Sequence, residues 1–185
     1  VEDLNLGGGF GVPYHPSEKP FPFPRLVKGL EKILKGLPAR ICYEPGRFLV
    51  AEAGILVCQV ISIKKNRGKT MVVVDGGMTE NIRPALYGAY HPVFPLTHGL
   101  KARSCKPTDV VGPICESSDF FALNIPFPEV KVGDWIGVGN CGAYCASMES
   151  NYNSRLFPAE YLIENGGVRL IRRRQPLSSL LFLEP

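Results

Sequence analysis

Gly7, Gly8 and Gly9 follow the short apolar stretch Leu4 to Leu6 near the start of this sequence. Backbone N–H groups in such a loop can close around a phosphate, and glycines serve ordinary tight turns as readily. Glu44, Pro45, Gly46 and Arg47 close a second short apolar stretch, Ile41 to Tyr43. Two successive strand ends carrying Gly-Gly-Gly and Glu-Pro-Gly-Arg fit the C-terminal face of a (β/α)8 barrel, where phosphate sites gather.

Further along, Arg83 and Tyr87 stand four residues apart. On a helix they would share a face and grip a carboxylate; on a surface loop they would amount to an ordinary ion-pairing stretch. Cys115 precedes Glu116 and lies close to Asp119. Carboxylates beside a thiol push its pKa upward, which suits a proton donor better than a nucleophile, and a buried structural cysteine is the competing reading. Tyr144 lies in a run of small and amide residues ending at Asn153, either a loop that offers a phenol to a polar ligand or a turn-rich connection.

The elements that must position these residues fall into two textures. Leu26, Leu30, Ile33, Leu34 and Leu37 repeat at helical spacing, opposite Lys28, Glu31, Lys32 and Lys35. Pro24 suits the first turn of that helix and Gly36 its C-terminal cap. Strand, glycine loop, helix and strand make one βα unit of a parallel sheet. From about Phe48 the pattern changes to a helical turn through Ala53 and then short β-branched runs at 55–63, 71–74, 109–111, 120–124, 135–138, 161–163 and 168–171. This half reads as an antiparallel β-domain.

The 185 residues, 45% hydrophobic and 21% charged, predict a globular chain with a core of its own. A net charge of +4 with scattered basic residues gives no nucleic-acid footprint, and the cluster Arg169 to Arg174 reads as a solvated strand end. No apolar run approaches a membrane span and no secretory pattern opens the chain, so no membrane partner and a cytoplasmic location are expected. The six cysteines include no CxxC pair, so no metal site is expected and reduced thiols are the default.

Taken in order, LNLGGGFGVPY, EPGRFLVAEAG, VDGGMTENIRPALYGAYHP, VVGPICESSDFFA and GAYCASMESNYNSR resemble the diaminopimelate decarboxylases, pyridoxal-phosphate enzymes that join an alanine-racemase-like barrel to a β-domain. The resemblance implies an α/β part, the last βα units of an incomplete (β/α)8 TIM barrel over residues 1–48, and a C-terminal antiparallel β-barrel or sandwich over 49–185. It implies pyridoxal 5'-phosphate as cofactor, bound by Gly7, Gly8, Gly9, Glu44, Pro45, Gly46, Arg47 and Tyr144, with the glycines on its phosphate and Glu44 facing the pyridine nitrogen.

By the same resemblance, Arg47, Arg83, Tyr87, Glu116 and Tyr144 would hold meso-diaminopimelate, and Cys115 would return a proton to the substrate carbon. Cys115 and Glu116 would reach the site of a second subunit, which implies a homodimer with a shared site. The implied reaction is decarboxylation of meso-diaminopimelate to L-lysine and CO2, the last step of lysine biosynthesis. A related ornithine, lysine or arginine decarboxylase and a non-catalytic truncated subunit are the alternatives. Cys145 departs from the family's usual glycine and Leu156 from a nearby proline. None of Lys19, Lys28, Lys32 and Lys35 matches the family's Schiff-base lysine, so this chain alone is expected to be inactive.

Overall fold

The computed structural model describes residues 2–66, 68–97 and 104–182. Strands β1 (Asp3–Asn5) and β2 (Arg40–Cys42) pair in parallel with Leu4 opposite Ile41, and helix α1 (Phe23–Leu34) connects them. Pro24 sits in the first turn, where a missing N–H costs nothing, and Gly36 beyond the last turn takes φ +82°, the left-handed turn glycine tolerates best. The apolar side of α1 only partly follows the expected stripe. Val27, Leu30 and Leu34 face Ile41 and Tyr43 across a cleft, whereas Ile33 and Leu37, expected on the covered side, are exposed.

Beyond β2, helix α2 (Arg47–Val50) runs into a 3-10 turn at Ala51–Ala53. A six-stranded sheet then forms from β3 (Leu56–Asn66), β4 (Lys69–Val74), β5 (Val93–Pro95), β6 (Cys105–Val111), β7 (Phe120–Pro128) and β8 (Trp135–Val138), in the order β5-β8-β3-β4-β6-β7. The edge strands β5 and β7 approach each other, so the sheet nearly closes on itself. Alternation along each strand turns Cys58, Val60, Val72, Val74, Val110, Ile136 and Val138 inward, where Phe121 and Phe127 fill the space between them.

The sheet is mixed, not antiparallel throughout. β4 and β6 run parallel with Val73 beside Val111, because the chain between them crosses over through helix α3 (Arg83–Tyr87) and β5 and does not turn back in a hairpin. β6 and β7 also extend well past the alternating runs that reveal them. Pro107 and Pro126 interrupt the β signal in the sequence, yet they stand opposite each other in register. β5 has only three residues and ends on Pro95, too little for any alternation to show.

A separate antiparallel hairpin follows, β9 (Glu160–Glu164) and β10 (Gly167–Arg172), turning at Asn165 and Gly166 with positive φ as the Asn-Gly-Gly sequence demands. The basic cluster is more than a solvated strand end. Arg172 of β10 places its guanidinium 2.7 Å from the Glu149 carboxylate and 2.9 Å from Glu160, tying the hairpin to the loop that carries Tyr144.

Candidate functional site

The glycine loop adopts a conformation that only glycines allow. Gly7 and Gly9 have φ +71° and +83°, and a Cβ on Gly8 would lie 2.3 Å from the Glu44 carbonyl oxygen. That approach brings the two strand ends together: Glu44 N–H donates to the Gly7 carbonyl at 2.7 Å. Asn5 adds a side-chain bridge, accepting from Gly7 N–H at 2.7 Å and donating to Glu44 Oε1 at 2.6 Å. Phe10, just beyond the loop, packs among Phe21, Phe23, Tyr43 and Phe48, so α1, β2 and α2 all hold its exit.

α2 carries Arg47 to the loop that carries Tyr144, and two glycines set the distance. A Cβ on Gly142 would fall 1.8 Å from the Val50 carbonyl oxygen, and one on Gly54 would fall 2.4 Å from Gly142 N. The contact is stitched by Cys141 N–H to Gly54 O at 2.9 Å and Gly142 N–H to Ala51 O at 3.0 Å. Two residues on, Tyr144 takes φ +61°, an unfavourable angle for an aromatic side chain, and the hydroxyl lies against Gly46. Cys145 follows it, buried, its thiol held below the ordinary range by a hydrogen bond from Cys141 and by the Arg83 charge, while that bond and burial push Cys141 upward.

Arg83 enters from the other side, at the start of α3. The preceding loop is pinned by the buried Glu80, whose Oε2 accepts from Gly77 N–H at 2.7 Å and the Thr79 hydroxyl at 2.9 Å. Oε1 faces Arg155 at 3.7 Å, and Arg155 also donates to the Asp75 carbonyl. Ser150 N–H donates to Thr79 O at 3.1 Å, so the Arg83 loop and the Tyr144 loop are joined directly.

Arg47, Arg83, Tyr14 and Tyr144 consequently form a closed array in which cation and ring alternate. The Arg47 guanidinium carbon lies 5.8 Å from the centre of the Tyr14 ring and 5.7 Å from that of Tyr144; for Arg83 the distances are 6.0 and 5.6 Å. Tyr87 stands 5.7 Å from Arg83, as their spacing on α3 requires. Among the described residues neither arginine has a carboxylate partner, although Arg83 is buried with its Nε unpaired. Two cations without counter-ions among the described residues, lined by aromatic faces, have the chemistry to accept an anionic group.

The sequence-predicted residues thus divide. Gly7, Gly8, Gly9, Glu44, Pro45, Gly46, Arg47, Arg83, Tyr87 and Tyr144 lie along one connected surface. Cys115 and Glu116 are exposed in a turn after β6, and among the described residues no hydrogen bond or ion pair ties them to that surface; Glu116 Oε1 accepts from Ser117 N–H at 2.8 Å. Asp119 faces inward, accepting from Met78 and Ile114 N–H groups at 2.7 Å each, and burial raises its pKa. Tyr14, Asn5 and the Glu80–Arg155 pair were not legible as site residues. Only the closeness of Tyr14 to the glycine loop could have pointed to it. Among the described residues no cluster of potential ligands suits a metal, and no helix is long and apolar enough to cross a membrane.

Pyridoxal-dependent decarboxylases, in their C-terminal sheet domain, match residues 30–142 of this chain. The chain belongs to that family. Among its relatives, the diaminopimelate decarboxylase of Aquifex aeolicus is 43% identical over 95% of this chain and 41% of its own length. That of Escherichia coli K12 is 41% identical over the whole chain and 48% of its own length. The crystal structure of diaminopimelate decarboxylase from Helicobacter pylori complexed with L-lysine superposes with a TM-score of 0.91 at 42% identity, over 99% of this chain and 44% of that one. This pyridoxal-dependent decarboxylase chain therefore spans less than half the length of the relatives it matches.

Proposed function

We propose that this chain provides the phosphate-binding loop and the carboxylate receptor of a diaminopimelate decarboxylase, which converts meso-diaminopimelate to L-lysine and CO2. The observation that carries the reading is the array of Arg47 and Arg83 on Tyr14 and Tyr144, without an acidic partner, beside a glycine loop. A dicarboxylic substrate needs cationic side chains for a carboxylate, and an ornithine- or lysine-type substrate has no second carboxylate to offer them.

The residues fit pyridoxal 5'-phosphate. Gly8 packs on the Glu44 carbonyl while Gly7 and Gly9 have nothing within 4 Å of their Cβ positions, so the loop backbone is open beside them, and Gly46 keeps room beside the Tyr144 hydroxyl. Glu44, oriented by Asn5, would face the pyridine nitrogen and keep it protonated. Bound there, the cofactor supplies a sink for the electron pair left on Cα when CO2 departs.

The other roles belong to this chain's own side chains. Arg47 and Arg83 hold a substrate carboxylate in place through charge-assisted hydrogen bonds, and Tyr87 and Tyr144 close over it. Cys115, on an exposed turn with Glu116 beside it, would hold a proton on Sγ for the substrate carbon, and Glu116 would pair with the distal ammonium. Their exposure suits delivery to a second subunit, so the working form is a homodimer with shared sites, placed in the cytoplasm. The division at residues 48 and 49 then separates the end of a TIM barrel from the β-domain.

The test is an assay of the complete polypeptide carrying this chain, supplied with pyridoxal phosphate and meso-diaminopimelate. L-lysine and CO2 in equal amounts are expected. No CO2 under conditions in which the Aquifex relative is active would overturn the reading.

A further inference from the structure

Tyr14 occupies the same position in the array as Tyr144, facing both guanidiniums, yet the roles above leave it without a task. The ring packs against Val12, Ala51 and Ala143, and the backbone N–H donates to Glu18 Oε2 at 2.9 Å. Behind it stands His91, 1% exposed, edge-on to the Tyr14 ring with centroids 5.4 Å apart. His91 Nδ1 lies 2.9 Å from the Gly139 carbonyl oxygen, an acceptor, so Nδ1 carries the proton. Burial holds the imidazole neutral and the nearby Arg83 charge acts in the same direction. An uncharged wall thus backs Tyr14 where a third cation would repel both arginines.

Two guanidiniums that converge without a counter-ion repel each other. An aromatic face attracts each of them, by roughly 0.5 to 2 kcal/mol according to solvent exposure. We propose that Tyr14, backed by the buried His91 ring, is a positioning residue: together with Tyr144 it sets the spacing of Arg47 and Arg83 and so the span of the anion they accept. The π face does this: the two guanidinium carbons lie 5.8 and 6.0 Å from the ring centre, and Tyr14 Oη makes no hydrogen bond among the described residues that Tyr14→Phe would break. The inference rests on the reading that the array binds a substrate carboxylate.

The experiment uses the complete polypeptide and three variants. Tyr14→Phe keeps the ring, Tyr14→Met fills the space without one, and Tyr14→Leu is a second ring-free variant should the Met form fail to fold. Two readouts are taken: KM and kcat for meso-diaminopimelate, and the NMR shifts of the Arg47 and Arg83 Nε–H groups, which report ring currents whether or not the protein is active. In the ring-free variant KM rises about tenfold while kcat changes by less than about threefold, and both arginine resonances move; Tyr14→Phe matches the wild type within about twofold. A folded ring-free variant with unchanged KM, or with unmoved arginine resonances, overturns the proposal. A wild type that ignores meso-diaminopimelate sinks the functional reading instead, and the NMR shifts then decide the role of Tyr14 alone.

Discussion

The Arg47 guanidinium carbon lies 5.7 Å from the centre of the Tyr144 ring, held there by the contact of Gly54 with Gly142. Both partners of that contact are backbone, so neither can move aside for a larger residue. Gly142→Ala should cost about 2 kcal/mol or more, read as a lower urea midpoint. Gly29→Ala is the control: it lies on exposed helix with nothing within 4 Å of its Cβ, and should stabilise by about 0.5 to 1 kcal/mol. Equal stability of the two variants would contradict the packing described.

Glu80 is the hinge between the Arg83 loop and Arg155. Its carboxylate accepts two hydrogen bonds and faces a guanidinium, so Glu80→Gln would turn an amide N–H2 toward donors. A loss of about 2 kcal/mol in unfolding free energy is expected, together with a raised KM, because Arg83 follows this loop. Unchanged stability and unchanged KM would remove Glu80 from the support of the site.

His91 gives stability a pH dependence of definite sign. Its folded-state pKa is lowered from 6.5, chiefly by burial, so the unfolded imidazole binds a proton that the folded one refuses. The contribution is complete above pH 6.5 and is lost as the pH falls from there toward the folded-state value. Unfolding free energies across that range should decline with acidification, and His91→Asn should remove this part of the slope. Asp119 and Glu149, raised mainly by burial, act in the opposite sense at lower pH, losing their contribution as the pH rises through their folded values. The comparison of variant with wild type isolates His91.

Thiol labelling separates the cysteines. Burial, with Asp75 and Glu80 adding to it, pushes Cys58 up to about 12, whereas Cys115 is exposed. In the native protein iodoacetamide should modify Cys115 and spare Cys58 until denaturant is added. Labelling of both at the same rate would contradict the sheet core around Cys58.

What the sequence showed, and what it hid, follows from the range of the interactions. The glycine loop, α1 and the alternation of β3, β4 and β8 are local patterns, and the structure places them within a few residues of where they read. β5 and the outer halves of β6 and β7 were hidden because a three-residue edge strand has no period and because Pro107 and Pro126 mask strands that pair regardless. The parallel β4–β6 pairing depends on a crossover that no local window contains. In the site, Arg83 and Tyr87 are four residues apart on one helix and could be read together. Tyr14, Arg83 and His91 meet only through tertiary packing, so their relationship had no signature along the chain.

In the proposed function, Arg47 and Arg83, which have no counter-ion among the described residues, receive the carboxylate that distinguishes meso-diaminopimelate from L-ornithine. The most direct test of this role compares kcat/KM for meso-diaminopimelate and for L-ornithine in the complete polypeptide, wild type and Arg83→Leu. The wild type should strongly prefer meso-diaminopimelate, and the variant should lose about a hundredfold for that substrate, equivalent to about 2.7 kcal/mol. L-ornithine turning over as well as meso-diaminopimelate in the wild type, or an Arg83→Leu variant that keeps its full preference, would contradict it.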